Sequence, residues 1–295
     1  RKLAEAERKH REATIHLKYT KALAREIGDH NTLRNIIQDV VLEDYEPTTG
    51  VVKFGKTLEK VDKSSIFVLS DAHAGYEYEN YYNDEVFAQR MKQAFQAIYN
   101  KVVDEDLKEI FIFELGDQIE GTGLRIGQLT QITTMMSGQV NLYVREFMKN
   151  FRSLVESVPH VNINLVIITR DNHSEVRVHG TKRNDLDDSM AEVIGAQITS
   201  EVETAQYYGG MDRVKVVTGP ELTVELPNGI KTFLTHGHMY SKNIDNIHKQ
   251  VYDVTGETPD IVVVGHWHNL QSLNRNVKKG FQGKTITAPS MVGDT

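Results

Sequence analysis

The 295-residue chain contains no cysteine. That excludes disulfides, thiolate nucleophiles and thiolate metal ligands, and it fits a reducing compartment such as the cytoplasm. Any metal ion would have to be held by His, Asp, Glu or Asn. Long apolar runs are missing as well. No stretch approaches the roughly eighteen residues of a membrane span, and the start, Arg1-Lys2-Leu3-Ala4-Glu5, has no apolar signal region. No membrane partner is expected, and a first residue other than Met is expected of a segment of a longer polypeptide. Positive charge is also in deficit, with a net charge of -7. Binding to nucleic acid through bulk charge is therefore disfavoured, which leaves a local basic patch or bound metal ions to attract phosphate. The rest is ordinary: 39% hydrophobic and 25% charged residues fit a globular protein with a sizeable core, as one large domain or two small ones.

Residues 1 to 46 read as an N-terminal helical arm. Arg1 to Ile27 is rich in Ala, Glu, Lys and Arg, and Gly28 is placed as a helix C-cap. Leu33, Ile36, Ile37, Val40 and Val41 then recur at helical spacing on one face. Glu5, Glu7 and Glu12 are interleaved with Arg8, Lys9 and Arg11, as on a solvated, salt-bridged face. Such an arm suits docking on the main body or on a second copy of the chain, so a homo-oligomer is one expectation. Residues 47–64, with Pro47 and Gly50, read as a linker with a short edge strand, and 65–295 as the main domain.

In that domain strands and helices alternate. Strands are expected at Ile66–Leu69, Glu109–Leu115 and Val161–Thr169, with helices at Asp84–Val103, Ser137–Val158 and Asp187–Thr204. Short strands follow from Val214, with Pro227-Asn228-Gly229 as a hairpin turn, a helix at Ile244–Val254 and a strand at Ile261–Val264. Leu273–Val277 and Lys284–Ala288 are expected to pair across Lys278-Lys279-Gly280. Alternation of this kind implies an α/β fold with a mainly parallel sheet and a site at the C-terminal strand ends, and the β-rich second half suggests a second sheet packed on the first.

The strand ends carry the chemistry. The first strand runs into Ser70-Asp71-Ala72-His73, the second into Gly116-Asp117, and the third into Asp171-Asn172-His173. The hairpin strand ends in His236-Gly237-His238, and the Ile261 strand in Gly265-His266-Trp267-His268. An isolated His-x-His is more often a pair of packing histidines than a metal site. Five strands delivering Asp, Asn or His to one edge are a different matter, because structural histidines have no reason to cluster there. A carboxylate such as Asp117 can bridge two ions about 3.5–4 Å apart. Mixed nitrogen and oxygen donors without sulfur suit manganese, iron or zinc.

The order Asp-x-His, Gly-Asp, Asn-His, His and Gly-His-x-His, spread over about residues 66 to 290, resembles the calcineurin-like metallophosphoesterase superfamily. The resemblance implies a four-layer α/β/β/α sandwich and a hydrolase whose two divalent ions, Mn2+ or else Fe, Zn or Mg, cleave phosphate esters. It implies one ion on Asp71, His73, Asp117 and His268, and the other on Asp117, Asn172, His236 and His266. Water activated by the ions would attack phosphorus in line, with Asp117 central to the site and His173 the general acid at the leaving oxygen. Val68-Leu69-Ser70-Asp71-Ala72-His73-Ala74-Gly75, Gly116-Asp117-Gln118-Ile119-Glu120-Gly121 and Thr287-Ala288-Pro289-Ser290 are most similar to the DNA-repair exonuclease branch and its bacteriophage relatives. The expectation is thus a DNA nuclease, an exonuclease-like phosphodiesterase. The alternatives are a phosphatase or phosphodiesterase for small nucleotides or phosphoproteins, and a non-catalytic scaffold with a degenerate metal site.

Two positions depart from the pattern. The usual Gly before Asn-His is Asp171, expected to keep a left-handed turn because Asp tolerates it, and to add negative charge near the ions. The acidic residue that usually follows is Ser174, which leaves Glu175 or another carboxylate to orient His173. The DNA-capping domain of the repair exonucleases would lie beyond Thr295. Arg125, Arg170, Lys182 and Arg183 are candidate phosphate contacts, against the plainer reading of solvated loop charges. His238 is a candidate substrate contact or donor behind the ligands, or a plain loop histidine. Gly121 to Met136 is either a lid or an ordinary connection. Trp267 reads as packing, and His10, His16, His30, His160, His179 and His248 have no motif context.

Overall fold

The computed structural model describes residues 48, 50–54, 63–79, 81–176, 189–277 and 281–293. The arm expected over 1–46, and with it Lys182, Arg183, His10, His16, His30 and His179, lies outside the described residues. Strand β1 spans Val51–Lys53 and β2 Ser64–Leu69, then come α1 (Asp84–Asp104), β3 (Glu109–Glu114), α2 (Met136–Ser157), β4 (Asn162–Ile168), α3 (Met190–Tyr207) and β5 (Val214–Gly219). The chain continues with β6 (Leu222–Glu225), β7 (Lys231–Thr235), α4 (Ile244–Thr255), β8 (Ile261–Val264), β9 (Gln271–Val277) and β10 (Phe281–Thr287). No helix among the described residues is long and apolar enough to cross a membrane.

Strands β2-β3-β4-β5 form a four-stranded sheet, parallel throughout. The return crossovers are α1, α2 and α3, as parallel pairing requires. In β3 and β4 every second residue changes partner. Ile110, Ile112, Ile163, Leu165 and Ile167 share a core with Phe87, Met91, Phe95, Phe147, Phe151, Ile194 and Ile198 of the helices. Phe111, Phe113, Val166 and Ile168 instead join Leu222, Val224, Leu234 and Val263 of the other sheet. A strand covered on both faces has no polar side, which is why Ile110-Phe111-Ile112-Phe113 is apolar without interruption.

The second sheet has the order β1-β6-β7-β8-β10-β9. Its outer face packs Phe233, Val262 and Val264 on Ile247 and Val251 of α4. The turn at Pro227-Asn228-Gly229 joins antiparallel β6 and β7 with Gly229 at φ +82°, and β9 pairs antiparallel with β10 as expected. Part of the 47–64 segment belongs to this core. Strand β1 pairs parallel with β6 at the sheet edge, and Phe54 meets Phe111 edge-on with ring centroids 5.4 Å apart. The third crossover helix starts later than Asp187, because the Ser189 side chain caps the Ala191 amide.

Register decides where the site lies. Leu69 pairs with Glu114, and Glu114 with Ile167, so β2, β3 and β4 release their chains at one edge. Thr235 pairs with Val264, and Val264 with Thr287, so β7, β8 and β10 do likewise.

Candidate metal centre

Pairing continues beyond the four-stranded sheet and locks its loops together. Asp71 N donates to Gly116 O, His73 N to Asp117 O, Ala74 N to Gln118 O, and Glu120 N back to Ala74 O, all at 2.9–3.1 Å. The other sheet's loops reach across to them. His266 N donates to both carboxylate oxygens of Asp71, at 3.1 and 3.0 Å. Ser290 Oγ donates to Asp71 O at 2.9 Å.

These loops are strained at the residues that matter. Asp71, His73, Asp117, His266 and His268 have φ between +46° and +69°; the other described non-glycine residues with positive φ are Glu79, Asp106 and Met211. Such backbone costs of order 1–3 kcal/mol per residue and persists only where surrounding contacts enforce it. Glycine supplies the clearance. A Cβ on Gly265 would lie 2.2 Å from Ser70 Oγ, and one on Gly116 2.9 Å from Asp171 Cβ.

Among the described residues three groups of side chains bring ligand atoms within 4.8 Å of one another: Asp71, His73 and His268; Asp117, His236 and His266; and His73, Glu120 and His173. Asn172 stands beside the second group, with Oδ1 3.0 Å from His236 Nε2. Thus the structure gathers all seven expected ligands. Asp117 Oδ2 is central, 3.1 Å from His236 Nε2 and 3.9 Å from the Nε2 atoms of both His73 and His173. His268 Nε2 is 3.4 Å from His73 Nε2 and 3.3 Å from Asp71 Oδ1.

The donor set fits a divalent cation. Bonds of about 2.1 Å at angles of about 90–110° separate neighbouring donor atoms by roughly 3.0–3.4 Å, close to the spacings here. The imidazoles are also presented correctly. His236 Nδ1 lies 2.9 Å from Leu115 O, and a carbonyl only accepts, so Nδ1 carries the proton and Nε2 faces the centre. His73 Nδ1 is likewise tied to Glu120 Oε2 at 2.9 Å. A ligating imidazole whose other nitrogen donates to a carbonyl or carboxylate is the usual arrangement around a metal.

The electrostatics call for positive charge. Burial opposes ionisation of Asp117, yet His236, His173 and His73 hold its carboxyl well below the usual range. Burial likewise opposes a proton on His236, but Asp117, Asp71 and Asp171 push it up to about 10. His266 goes the other way, to about 4, through burial and the charge of His236. The carboxylates thus demand a cation at their centre, and only some of the imidazoles can supply a proton. A divalent ion meets the same demand.

Glu120 is the functional residue the motifs did not single out. It is buried, and its Oε2 stands 2.9 Å from His73 Nδ1 and 3.3 Å from His173 Nδ1. His173 Nδ1 also donates to Glu120 O at 2.7 Å. Burial would raise the Glu120 carboxyl, but the two histidines pull it down to about 2. The signal was an acid three residues after Asp117, between Ile119 and Gly121. Glu175, the named candidate for orienting His173, instead has Oε1 3.8 Å from His238 Nε2.

Other expectations are also corrected. Asp171 does not take left-handed backbone. Its buried carboxylate accepts from Ser174 N at 2.6 Å and Ser174 Oγ at 3.0 Å, a side-chain turn in place of a glycine turn. Burial and the charge of Asp117 raise it to about 7, so its negative charge is partly suppressed. Gly121 to Met136 is fastened to the body at several points. Thr133 N donates to Gly75 O, Glu77 N donates to Gln131 O, and Gln128 is buried with its amide on Glu120 Oε1 at 3.1 Å.

Arg125 points back at Glu120 Oε1, 3.7 Å away, and donates to Gln131 Oε1. Arg170 follows β4 at the same edge. The His238 ring lies 5.5 Å from that of His236 and 6.3 Å from that of His266. Trp267 packs against the cluster under α4. His248 is buried against Thr285 Oγ1 at 2.7 Å, away from the ligand groups.

No family model matches the chain. The SPbeta prophage-derived uncharacterized protein YonJ of Bacillus subtilis (strain 168) is 26% identical over 235 residues. The match covers 78% of this chain and 56% of the relative, so the chain spans about half the length of the curated relative it matches.

Proposed function

We propose that the chain is a metal-dependent phosphodiesterase of the calcineurin-like kind, a nuclease acting on DNA, built as a four-layer α/β/β/α sandwich. One observation carries the reading: seven Asp, Asn and His side chains from five strand ends gather in two adjoining groups, one of them on Asp117, with His173 beside them tied by Glu120. Two divalent ions, manganese first among them, would activate water and neutralise charge on the phosphoryl oxygens when bound. One would sit among Asp71, His73, Asp117 and His268, the other among Asp117, Asn172, His236 and His266.

The chain's own groups set the rest. Glu120 fixes the Nδ1 proton of His173 and turns Nε2 toward the Asp117 side of the site. Burial lowers the affinity of His173 for a second proton, but Asp117 and Glu120 outweigh it and raise the pKa to about 9. With Nδ1 donating to Glu120, Nε2 is the nitrogen that would hand a proton to the leaving oxygen. Asn172 joins the same loop to His236.

The net charge of -7 favours a second reading, a phosphatase or diesterase for small nucleotides. Hydrolysis of single-stranded DNA, duplex ends, cyclic nucleotides and p-nitrophenyl esters with manganese separates the two. Cleavage of DNA is the expected result; rapid turnover of small esters beside intact DNA selects the second reading. No hydrolysis of any ester by the manganese-loaded protein would sink both.

A further inference from the structure

The two departures from the family pattern lie within hydrogen-bonding distance of each other. Both side chains are wholly buried, and Asp171 receives both the amide and the hydroxyl of Ser174. Between them stand Asn172 and His173. The loop is held at its other points too. Ser174 O accepts from Met190 N at the start of α3, 2.9 Å away. His173 N donates to Asp117 Oδ1 at 3.1 Å. The His173 carbonyl presses on Gly121, where a Cβ would come within 2.0 Å of it.

We propose that Asp171 and Ser174 form a side-chain staple, and that both are positioning residues for Asn172 and His173. The inference rests on the phosphodiesterase reading for its kinetic consequence. A glycine turn shapes such a loop through backbone freedom alone. Here two acceptor oxygens on one side chain close the turn instead, against a Gly116 that leaves room for Asp171. Without the staple the dipeptide keeps its bonds to Asp117, Glu120 and His236 but loses the closure of its turn, and a displacement of about 1 Å at a reacting group can cost about 10²-fold in rate. The effect should fall on proton delivery by His173.

The test compares two diesters with manganese at saturation. Cleavage of a thymidine dinucleotide releases a sugar alkoxide that needs a proton, whereas bis(p-nitrophenyl) phosphate releases a phenolate that does not. Asp171→Ala is expected to slow the dinucleotide about 10–100-fold and the nitrophenyl ester only a few-fold. Asp171→Asn keeps an acceptor for Ser174 N and should restore most of the dinucleotide rate. Ser174→Ala removes one of the two bonds and should fall between, and it carries the comparison if Asp171→Ala does not fold. Equal losses on both esters, no loss, or failure of Asp171→Asn to rescue would overturn the staple.

If the wild-type protein hydrolyses neither ester, the phosphodiesterase reading fails and the staple is read by NMR on histidine-labelled protein. The proton shared by His173 Nδ1 and Glu120 O should persist in Asp171→Asn and be lost in Asp171→Ala. Its persistence in Asp171→Ala would refute the inference independently of activity.

Discussion

The two sheets contribute unlike halves to the candidate centre. The parallel four-stranded sheet delivers Asp71, Asp117, Asn172 and Glu120, hence all the negative charge, together with His73 and His173. The six-stranded sheet delivers only imidazoles: His236, His266 and His268. The first half is closed, its loops tied by four backbone hydrogen bonds, with the side chains of Asp71 and Asp117 0% and 1% exposed. The second half is partly open, and the side chain of His268 is 35% exposed. A buried carboxylate must be compensated wherever it sits, so the closed half fixes how much positive charge the site needs. The open half sets how a ligand can reach it.

Breaking the closed half should therefore do most damage. Asp117→Ala removes the carboxylate that His73, His173 and His236 face. It should abolish retention of manganese, measured by elemental analysis after desalting, and lower diester hydrolysis by more than about 10⁴-fold. A variant that still holds two equivalents would show that Asp117 is not the shared ligand.

His173→Ala comes next, with a loss of about 10²–10⁴ in rate on substrates with poor leaving groups and manganese content unchanged. Full activity in this variant would remove His173 from the acid's role. Glu120→Ala loosens His73 and His173 together, and should cost about 10–100-fold in activity or metal affinity. An effect on only one of the two would mean that Glu120 serves a single histidine.

Replacing one ligand from each half sharpens the contrast. His268→Ala should weaken one equivalent of manganese about 10–100-fold and leave the other near wild type, whereas Asn172→Ala should weaken the opposite one. Competitive titration with a chelating dye distinguishes the two. Loss of both ions in either variant would contradict the division of ligands between the two ions.

How much of this was legible in the sequence follows from the same division. The seven candidate ligand positions stood out because Asp, Asn and His in otherwise apolar strand–loop junctions have no packing explanation. The alternation of strands and helices was legible too, since buried parallel strands must be apolar on both faces. Glu120 was harder. Its partners are distant in the chain, at His73 and His173, and an acid in a loop is by default a solvated one. Asp171 was misjudged for a related reason. A residue that replaces glycine suggests left-handed backbone, whereas a short polar side chain can close the turn by hydrogen bonding without it. Phe54 shows the limit of composition: the Pro and Gly around it read as a linker, yet it fills space between the sheets.

The smallest effect on rate is expected from Glu114, which touches none of the ligands but lies at the end of β3 beneath them. Burial raises its carboxyl to about 8; the amides of Gln118 and Gly116 oppose the shift and the charge of Asp171 adds to it. In the unfolded chain the same group ionises near 4.5. Between about pH 4.5 and 8 the folded protein holds a proton that the unfolded chain has lost, so stability from this group is complete below the window and falls as pH rises through it. Glu114→Gln keeps an acceptor for Gln118 and carries no titrating proton. In metal-free protein, urea unfolding at pH 5, 6, 7 and 8 should therefore show a flatter decline for Glu114→Gln than for wild type, with diester hydrolysis within a few-fold. Parallel declines would mean that Glu114 is ionised in the folded protein as it is in the unfolded chain, and that burial does not hold a proton on it.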